Sequence, residues 1–194
     1  MPLTPSNSLA LGTPAPAFSL PDPAGKVVSL ADFDGAPALL VAFISNRCPY
    51  VKLIREALAA FAADYQPRGL AVVAVNANDF DAHPEETPAK TAEEAAAVGY
   101  GFPYLVDADQ RVAQAFQAAC TPDFFLYDRS RGLYYHGQFD DARPNGATPV
   151  TGGDLRAAVD RLLAGEAPPT EQKNSIGCNI KWRPGNEPDA VLPA

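Results

Sequence analysis

The sequence predicts a single α/β domain in which helices flank a central mixed sheet. Residues 36–75 show the order strand, helix, strand, which requires a crossover and implies a parallel strand pair. Residues 123–138 hold two apolar runs joined by a short charged turn, which is typical of an antiparallel hairpin. With 194 residues, of which 47% are hydrophobic, the chain is long and apolar enough to bury one sizeable core.

The N-terminal segment, residues 1–25, is rich in proline and predicts an extended arm rather than a helix. Within it, Phe18 and Leu20 alternate with polar residues, as in a short strand. Gly25 then leads into a second apolar run at 27–30. The two runs predict an N-terminal hairpin.

A change of periodicity defines the strand–helix–strand unit. Residues 36–44 form a continuous apolar run, which suits a strand buried on both faces. From Pro49 to Tyr65 apolar residues recur at intervals of three and four, which predicts a helix. Pro49 stands in its first turn, where helices tolerate proline. Residues 70–75 form the second buried strand.

Shorter patterns define the rest of the chain. Residues 76–88 are polar and predict a loop, and from residue 167 the chain is Pro-rich and irregular. We therefore expect one domain over 1–194, with a core of about 11–166 and an irregular C-terminal tail at 167–194. The remaining predicted elements are helices at 91–98, 110–119 and 154–164 and strands at 102–106, 123–127 and 133–138.

The charge balance narrows the classes of partner. Fifteen basic and 23 acidic side chains give a net charge of −8, which argues against nucleic acid and anionic membranes as partners. The first ten residues lack a basic segment followed by a long apolar one, so we expect a cytoplasmic protein. The sequence leaves the oligomeric state open.

Cys48 is the best-placed reactive group. It follows a buried strand and precedes the helix that begins at Pro49, so it faces free N–H groups and the positive end of the helix dipole. Arg47 and Lys52 add positive charge nearby. Because positive surroundings favour the thiolate, the sequence predicts a nucleophile at Cys48. The alternative is a small apolar residue that fills the corner between strand and helix.

Other polar residues form weaker patterns. His83 and His136 are far apart and have no cysteine or carboxylate at ligand spacing, so no metal site is expected. There is no Gly-rich phosphate loop, and no cofactor is expected. The acidic pairs at 85–86 and 93–94 are expected to be solvated.

Several segments together resemble a known family. They are the entry segment at 11–20, the turn Phe43–Val51 around Cys48, the segment Ala119–Phe125 with Cys120, and the segment Ser175–Trp182 with Cys178. On these segments the chain resembles the thioredoxin-like superfamily. Within it, the chain is similar to the peroxiredoxin-like branch of alkyl hydroperoxide reductase and thiol-specific antioxidant proteins, in a subgroup with a single-cysteine active-site turn. The resemblance implies a thioredoxin-like fold over about 11–188.

The resemblance also implies roles for individual residues. Pro122 is expected to be a cis-proline whose loop packs against the active-site turn, which would place Cys120 near Cys48. Cys178 lies in a tail that could fold over the same face, so both cysteines are candidate catalytic partners of Cys48. The expected substrate-binding residues are Asn46, Arg47, Thr121 and Pro122.

Departures from the family patterns shape the functional hypotheses. Val51 stands where thioredoxins carry their second active-site cysteine, so a local dithiol cycle cannot operate. Val41 and Ser45 stand where peroxiredoxins carry a proline and a threonine. The first hypothesis is therefore a thiol–disulfide oxidoreductase of antioxidant type, in which Cys48 forms a mixed or intramolecular disulfide.

Two alternatives stay open. One is a thiol peroxidase that reduces hydroperoxides. The other is a non-catalytic thioredoxin-like binding module or redox sensor, a hypothesis that the loss of a cysteine at Val51 supports. The expected partners are a thiol or disulfide substrate and a reducing thioredoxin-type protein.

Overall fold

The structure of the chain is a computed structural model that describes residues 3–188. Residues 1–2 and 189–194 of the expected domain lie outside the described residues. The strands are β1 (Leu3–Pro5), β2 (Ser19–Pro21), β3 (Val27–Ser29), β4 (Ala38–Phe43), β5 (Leu70–Asn76), β6 (Tyr104–Val106), β7 (Cys120–Thr121), β8 (Asp123–Tyr127), β9 (Leu133–Gly137) and β10 (Ile176–Asn179). The α-helices are α1 (Pro49–Tyr65), α2 (Pro88–Val98), α3 (Arg111–Ala115) and α4 (Gly153–Leu163).

The centre of the fold is a five-stranded mixed sheet in the order β6-β5-β4-β8-β9. Strand β4 pairs in parallel with β5 and antiparallel with β8, while β8 and β9 form the antiparallel hairpin. All six residues of β4 are buried, as expected for the middle strand of a sheet with both faces covered. The predicted mixed sheet and both of its strand-pairing directions are confirmed.

Side chains alternate along β4 and so divide the core between the two faces of the sheet. On one face, Leu40 packs with Ile54 and Leu58 of α1 and with Val159 of α4. The opposite face packs α3 and the β2–β3 hairpin, which confirms the predicted N-terminal hairpin. Helix α1 has the predicted bounds, and its first residue is Pro49. The sheet thereby holds the β4–α1 junction rigidly between two apolar layers.

A second, three-stranded sheet in the order β1-β10-β7 was not predicted. Its strands lie in the predicted extended arm (β1), directly after the predicted helix at 110–119 (β7) and in the predicted irregular tail (β10). The tail is otherwise largely without regular structure, but β10 pairs antiparallel with β7 on one side and with β1 on the other. This sheet therefore lays β10 of the tail on β7, the strand that precedes Pro122, and adds the N-terminal strand β1 on the other side of β10.

The predicted helix at 110–119 is much shorter in the structure, where α3 covers only Arg111–Ala115. Gln110 and Gln117 have φ angles of 64° and 52°, and a right-handed helix cannot contain such residues. The chain leaves the helix early and turns into β7. None of the helices in residues 3–188 combines the length and apolar composition that crossing a membrane requires.

Candidate active site

Cys48 lies at the junction between β4 and α1, as predicted. It is the N-cap residue of α1, with extended backbone angles (φ −65°, ψ 123°), and its carbonyl accepts the first helical hydrogen bond, from the Lys52 N–H. Its side chain is 1% exposed. The thiol donates a hydrogen bond to the carbonyl oxygen of Thr121, with a distance of 3.1 Å between Sγ and O. The nucleophile predicted from the sequence is therefore enclosed and points at the segment before Pro122.

The Thr121–Pro122 peptide bond is cis, as the family resemblance implies. Thr121 is 3% exposed and belongs to β7, so its carbonyl is held by a sheet rather than by a free loop. The cis-proline loop and the helix N-terminus thus meet at the Cys48 sulfur.

Cys178 approaches the same point from the tail. In the antiparallel pairing of β10 with β7, Cys178 stands directly opposite Thr121, whose carbonyl contacts Cys48. Cys178 also interacts with Cys48: burial, and next the neighbouring Cys48 thiol, raises the pKa of Cys178 to about 12. Burial thus favours the protonated thiol at Cys178, and an S–H group can donate a hydrogen bond to a neighbouring sulfur.

Close packing of β10 depends on Gly177. A Cβ atom at this position would lie 2.0 Å from the Thr121 carbonyl oxygen, far inside van der Waals contact. The absence of a side chain lets β10 lie directly on the cis-proline segment. The sequence contains Gly177 in its Ile-Gly-Cys signature, but only the pairing with β7 explains the glycine.

Cys120 is buried beside the same loop but has a different partner. Its register partner is Asn179, one residue along from Cys178, and successive strand residues point to opposite faces. Its thiol donates to the Pro122 carbonyl at 3.5 Å. Burial, and next the Asp123 carboxylate, raises its pKa far above the ordinary thiol value. The structure thus places both candidate partners near Cys48. Cys178 is the strand partner of Thr121, whose carbonyl the Cys48 thiol contacts, whereas the Cys120 thiol is bonded to the Pro122 carbonyl.

Glu86 was expected to be solvated, and that prediction is wrong, because the residue is 1% exposed. Its carboxylate accepts hydrogen bonds from the Ser45 hydroxyl at 2.5 Å and from the Asn46 N–H at 3.0 Å. The Ser45 oxygen in turn accepts from the N–H of Cys48 at 3.2 Å. Two adjacent glutamates in a polar loop carry no signal for which of them turns inward, so sequence reasoning missed this residue.

The predicted substrate-binding residues of the turn differ in availability. Asn46 is 8% exposed, and its side chain is occupied within the protein, since its amide nitrogen donates to the Glu85 carbonyl and its oxygen accepts from Tyr104. Arg47 is half-buried, and its guanidinium lies 2.5 Å from Nδ1 of His83.

A surface cavity of about 590 Å³ opens beside this turn and contains Arg47. The other residues that line it are Asn46, Lys52, Arg55, Glu85, Lys90, Glu93, Glu94 and Ala97.

Lys181 is a further charged group that sequence reasoning did not single out. Burial lowers the pKa of its ammonium group, and the thiols of Cys178 and Cys48 oppose that shift. Its Nζ donates to the carbonyl oxygen of Asn179 at 2.6 Å and to the Asn179 side-chain oxygen at 2.8 Å. The tail thereby brings one positive charge close to the two interacting thiols. Among residues 3–188, no three His, Cys, Asp or Glu side chains are grouped to hold a metal ion.

A mixed sheet, a cysteine at a helix N-terminus and a facing cis-proline loop define a thioredoxin-fold protein with a thiol site. More specifically, the chain belongs to the AhpC/TSA family, whose model matches residues 11–136. Both results agree with the resemblance found in the sequence. Fold and family together support a thiol-based redox function.

The chain is also similar to individual proteins of known sequence or structure. The chain is 31% identical over 116 residues to "Putative peroxiredoxin Rv2521" of Mycobacterium tuberculosis. The aligned region covers 60% of this chain and 69% of that relative. Hypothetical protein SMc02350 of Sinorhizobium meliloti 1021 has a similar crystal structure, with 64% identity, a TM-score of 0.93 and coverage of 94% of this chain and 100% of that one.

Two further crystal structures are similar. A conserved protein of Geobacillus kaustophilus is 47% identical, with a TM-score of 0.93 and coverage of 95% of this chain and 98% of that one. A protein of Chlorobium tepidum described as a thiol:disulfide interchange protein of the DsbE type has a TM-score of 0.63 and covers 80% of this chain and 99% of that one. At 24% identity, the latter likeness shows the thioredoxin-like fold alone.

Proposed function

We propose that the protein is a thiol–disulfide oxidoreductase in which Cys48 is the nucleophile and Cys178 the resolving thiol. The observation that carries this proposal is the meeting of Cys48 and Cys178 at the cis-proline loop, where the Cys48 thiol donates to the Thr121 carbonyl and Cys178 is the strand partner of Thr121. Cys48 has the helix N-terminus that favours a thiolate, and Cys178 supplies the second thiol that Val51 does not.

The reaction proceeds by two exchanges. First, the Cys48 thiolate attacks one sulfur of a substrate disulfide, the substrate S–S bond breaks, and the departing thiolate takes a proton. Second, the Cys178 sulfur attacks Cys48 in the mixed disulfide and releases the other substrate thiol, which takes the proton of Cys178. The substrate gains two electrons and the protein is left with a Cys48–Cys178 disulfide. A reducing dithiol, such as a thioredoxin-type protein, then returns it to the dithiol state.

Access to the nucleophile requires movement of the tail. Cys48 is 1% exposed and Cys178 is 5% exposed, with β10 lying over the cis-proline segment. A substrate sulfur can reach Cys48 only when this strand moves away. The same movement would free the edge of β7, and strand edges readily pair with extended peptides.

Trapping of the intermediates tests the proposal. The reduced protein is mixed with oxidised glutathione, quenched with an alkylating agent and mapped by mass spectrometry. We expect a Cys48–Cys178 disulfide in the unmodified protein, a persistent Cys48 mixed disulfide in Cys178→Ser, and no reaction at this site in Cys48→Ser.

Cys120→Ser is the matched control, because it removes a buried thiol of the same site and should leave the Cys48–Cys178 bond intact. A Cys48–Cys120 bond would refute the assignment of Cys178. A protein that stays fully reduced would refute the oxidoreductase and favour a binding module or sensor.

Peroxide reduction is the second candidate, since the family match and the M. tuberculosis relative's name both point to it. The Cys48 thiolate would take one oxygen from a hydroperoxide to give a sulfenic acid and an alcohol or water. Cys178 would then condense with it and release water.

One feature argues against this chemistry. The Ser45 hydroxyl donates its hydrogen to Glu86, and its oxygen accepts from Cys48 N–H, so it has no hydrogen left to donate to a peroxide. We expect oxidation of Cys48 by hydrogen peroxide, followed by stopped flow, to be no faster than that of free cysteine. A markedly faster reaction would favour the peroxidase.

A further inference from the structure

Glu86 is a buried carboxylate whose hydrogen-bond partners point to one task. Four donors contact it: the Ser45 hydroxyl at 2.5 Å, the Asn46 N–H at 3.0 Å, the Arg47 N–H at 3.3 Å and the Asn76 amide at 2.8 Å. Three of the four come from the residues that immediately precede Cys48. Among the described residues, none of its hydrogen-bond partners is a Lys or Arg side chain, so every hydrogen bond that satisfies this buried carboxylate comes from an uncharged donor.

The Ser45 hydroxyl transmits this arrangement to the nucleophile. Because its hydrogen is donated to Glu86, its oxygen is oriented to accept the N–H of Arg47 at 3.3 Å and of Cys48 at 3.2 Å. Glu86 therefore fixes the amides of 46 and 47 directly, and that of Cys48 through one side chain.

The network has a defined direction. The Asn76 side-chain oxygen accepts from the Asn78 N–H at 3.1 Å, so its amide nitrogen must face Glu86. Both oxygens of Glu86 thus meet donors only, which a carboxylate satisfies. A glutamine would place its own NH₂ group against one or two donors.

We propose that Glu86 is a positioning residue for Cys48: its carboxylate holds the turn at 45–48 so that the Cys48 sulfur stays against Thr121 and Cys178. This inference rests on the proposed function. Glu86 is bonded to Ser45, Asn46 and Arg47 and not to the Cys48 sulfur, so it acts by setting how often the two thiols meet in bonding geometry.

The test compares Glu86→Gln with Glu85→Gln, the adjacent exposed glutamate, as the matched control. Each protein is equilibrated with buffers of reduced and oxidised glutathione, and the fraction of Cys48–Cys178 disulfide gives the effective concentration of one thiol at the other. We expect at least a tenfold lower effective concentration in Glu86→Gln and a change below twofold in Glu85→Gln. The unfolding free energy of each reduced protein is measured in parallel by urea titration. If Glu86 had a purely structural role, Glu86→Gln would lower the unfolding free energy and leave the effective concentration unchanged. A folded Glu86→Gln protein with an unchanged effective concentration would overturn the inference.

A second variant covers the case in which Glu86→Gln does not fold. Ser45→Ala removes only the hydroxyl that links Glu86 to the Cys48 N–H, and we expect at least a threefold lower effective concentration. No change in Ser45→Ala would then overturn the inference.

Failure of the proposed oxidoreductase function can be distinguished from failure of the positioning role of Glu86. If the unmodified protein forms no Cys48–Cys178 disulfide, alkylation of Cys48 by iodoacetamide replaces the disulfide readout. Because Cys48 is enclosed, loosening the turn should speed its alkylation at least tenfold in Glu86→Gln relative to Glu85→Gln, and equal rates would contradict a positioning role.

Discussion

Gly177 allows β10 to lie on the cis-proline segment, and Gly177→Ala is the perturbation whose effect can be worked out most directly. The added Cβ would stand 2.0 Å from the Thr121 oxygen and 2.7 Å from its carbonyl carbon. Real Cβ atoms essentially never come within 3.0 Å of such atoms, so β10 must retreat by at least about 1 Å. The contacts are backbone atoms of a paired strand, which cannot turn aside as a flexible side chain would.

The destabilisation caused by Gly177→Ala can be taken from the usual free-energy cost of overpacking, about 1–3 kcal/mol. Since β10 pairs with β7 at only two positions, we expect this cost to fall on the local opening of the tail rather than on the central sheet. Each 1.4 kcal/mol corresponds to a tenfold change in an equilibrium constant, so the open form should become about 5- to 150-fold more populated.

The assay is the alkylation of Cys48 by iodoacetamide in native buffer, mapped by mass spectrometry over time. Because Cys48 is 1% exposed in the closed form, its alkylation reports the open population. Gly35→Ala is the control, since a Cβ at Gly35 meets nothing within 4 Å and the backbone there is not left-handed. If Gly177→Ala and Gly35→Ala are alkylated at the same rate, β10 does not cover Cys48 in the way described.

Three further predictions concern stability. Burial raises the pKa of Asp107 from 3.8 to about 6, so the folded protein favours the protonated carboxyl and loses stability as the pH rises from about 4 to 6. At 1.36 kcal/mol per pH unit, the unfolding free energy of Asp107→Asn should rise by about 3 kcal/mol relative to that of the unmodified protein over this range, as measured by urea titration. If the difference in unfolding free energy between the two proteins does not change with pH, the pKa of Asp107 is not raised in the folded state. Oxidation to a Cys48–Cys178 disulfide would close a loop of about 130 residues and should stabilise the protein by about 5 kcal/mol in the chain-entropy model, measured as the difference in unfolding free energy between oxidised and reduced protein. Tyr104→Phe leaves the Asn46 side-chain oxygen without its donor at 3.0 Å and should cost about 1–3 kcal/mol, and an unchanged urea midpoint would show that this hydrogen bond contributes nothing.

The elements that could be predicted from the sequence are those with a long hydrophobic pattern within a single continuous segment. Helix α1 shows four turns of apolar periodicity and a proline at its first position, and β4 is a continuous apolar run. These two elements place Cys48, so its position at the β4–α1 junction could be located from sequence alone. The cis-proline came from the family resemblance and not from any local pattern.

The rest of the site depends on contacts between distant residues. Strand β7 has two residues and β10 has four, too few to show alternation, and their paired residues Thr121 and Cys178 are 57 positions apart. The sequence consequently left open whether Cys120 or Cys178 approaches Cys48. Burial of Glu86 likewise depends on donors about 40 positions earlier and could not be inferred from its neighbours.

The arrangement of β1, β10 and β7 also has a consequence for the order in which the protein is made. Translation releases Cys48, the central sheet and the cis-proline segment before β10 exists, and β1 must wait for the same strand because β10 is its partner. During that interval the nascent chain holds Cys48 without its cover and without Cys178. Of the strands in residues 3–188, β10 emerges last, so the Cys48 thiol is more open to oxidants and to other thiols until this strand has paired with β7.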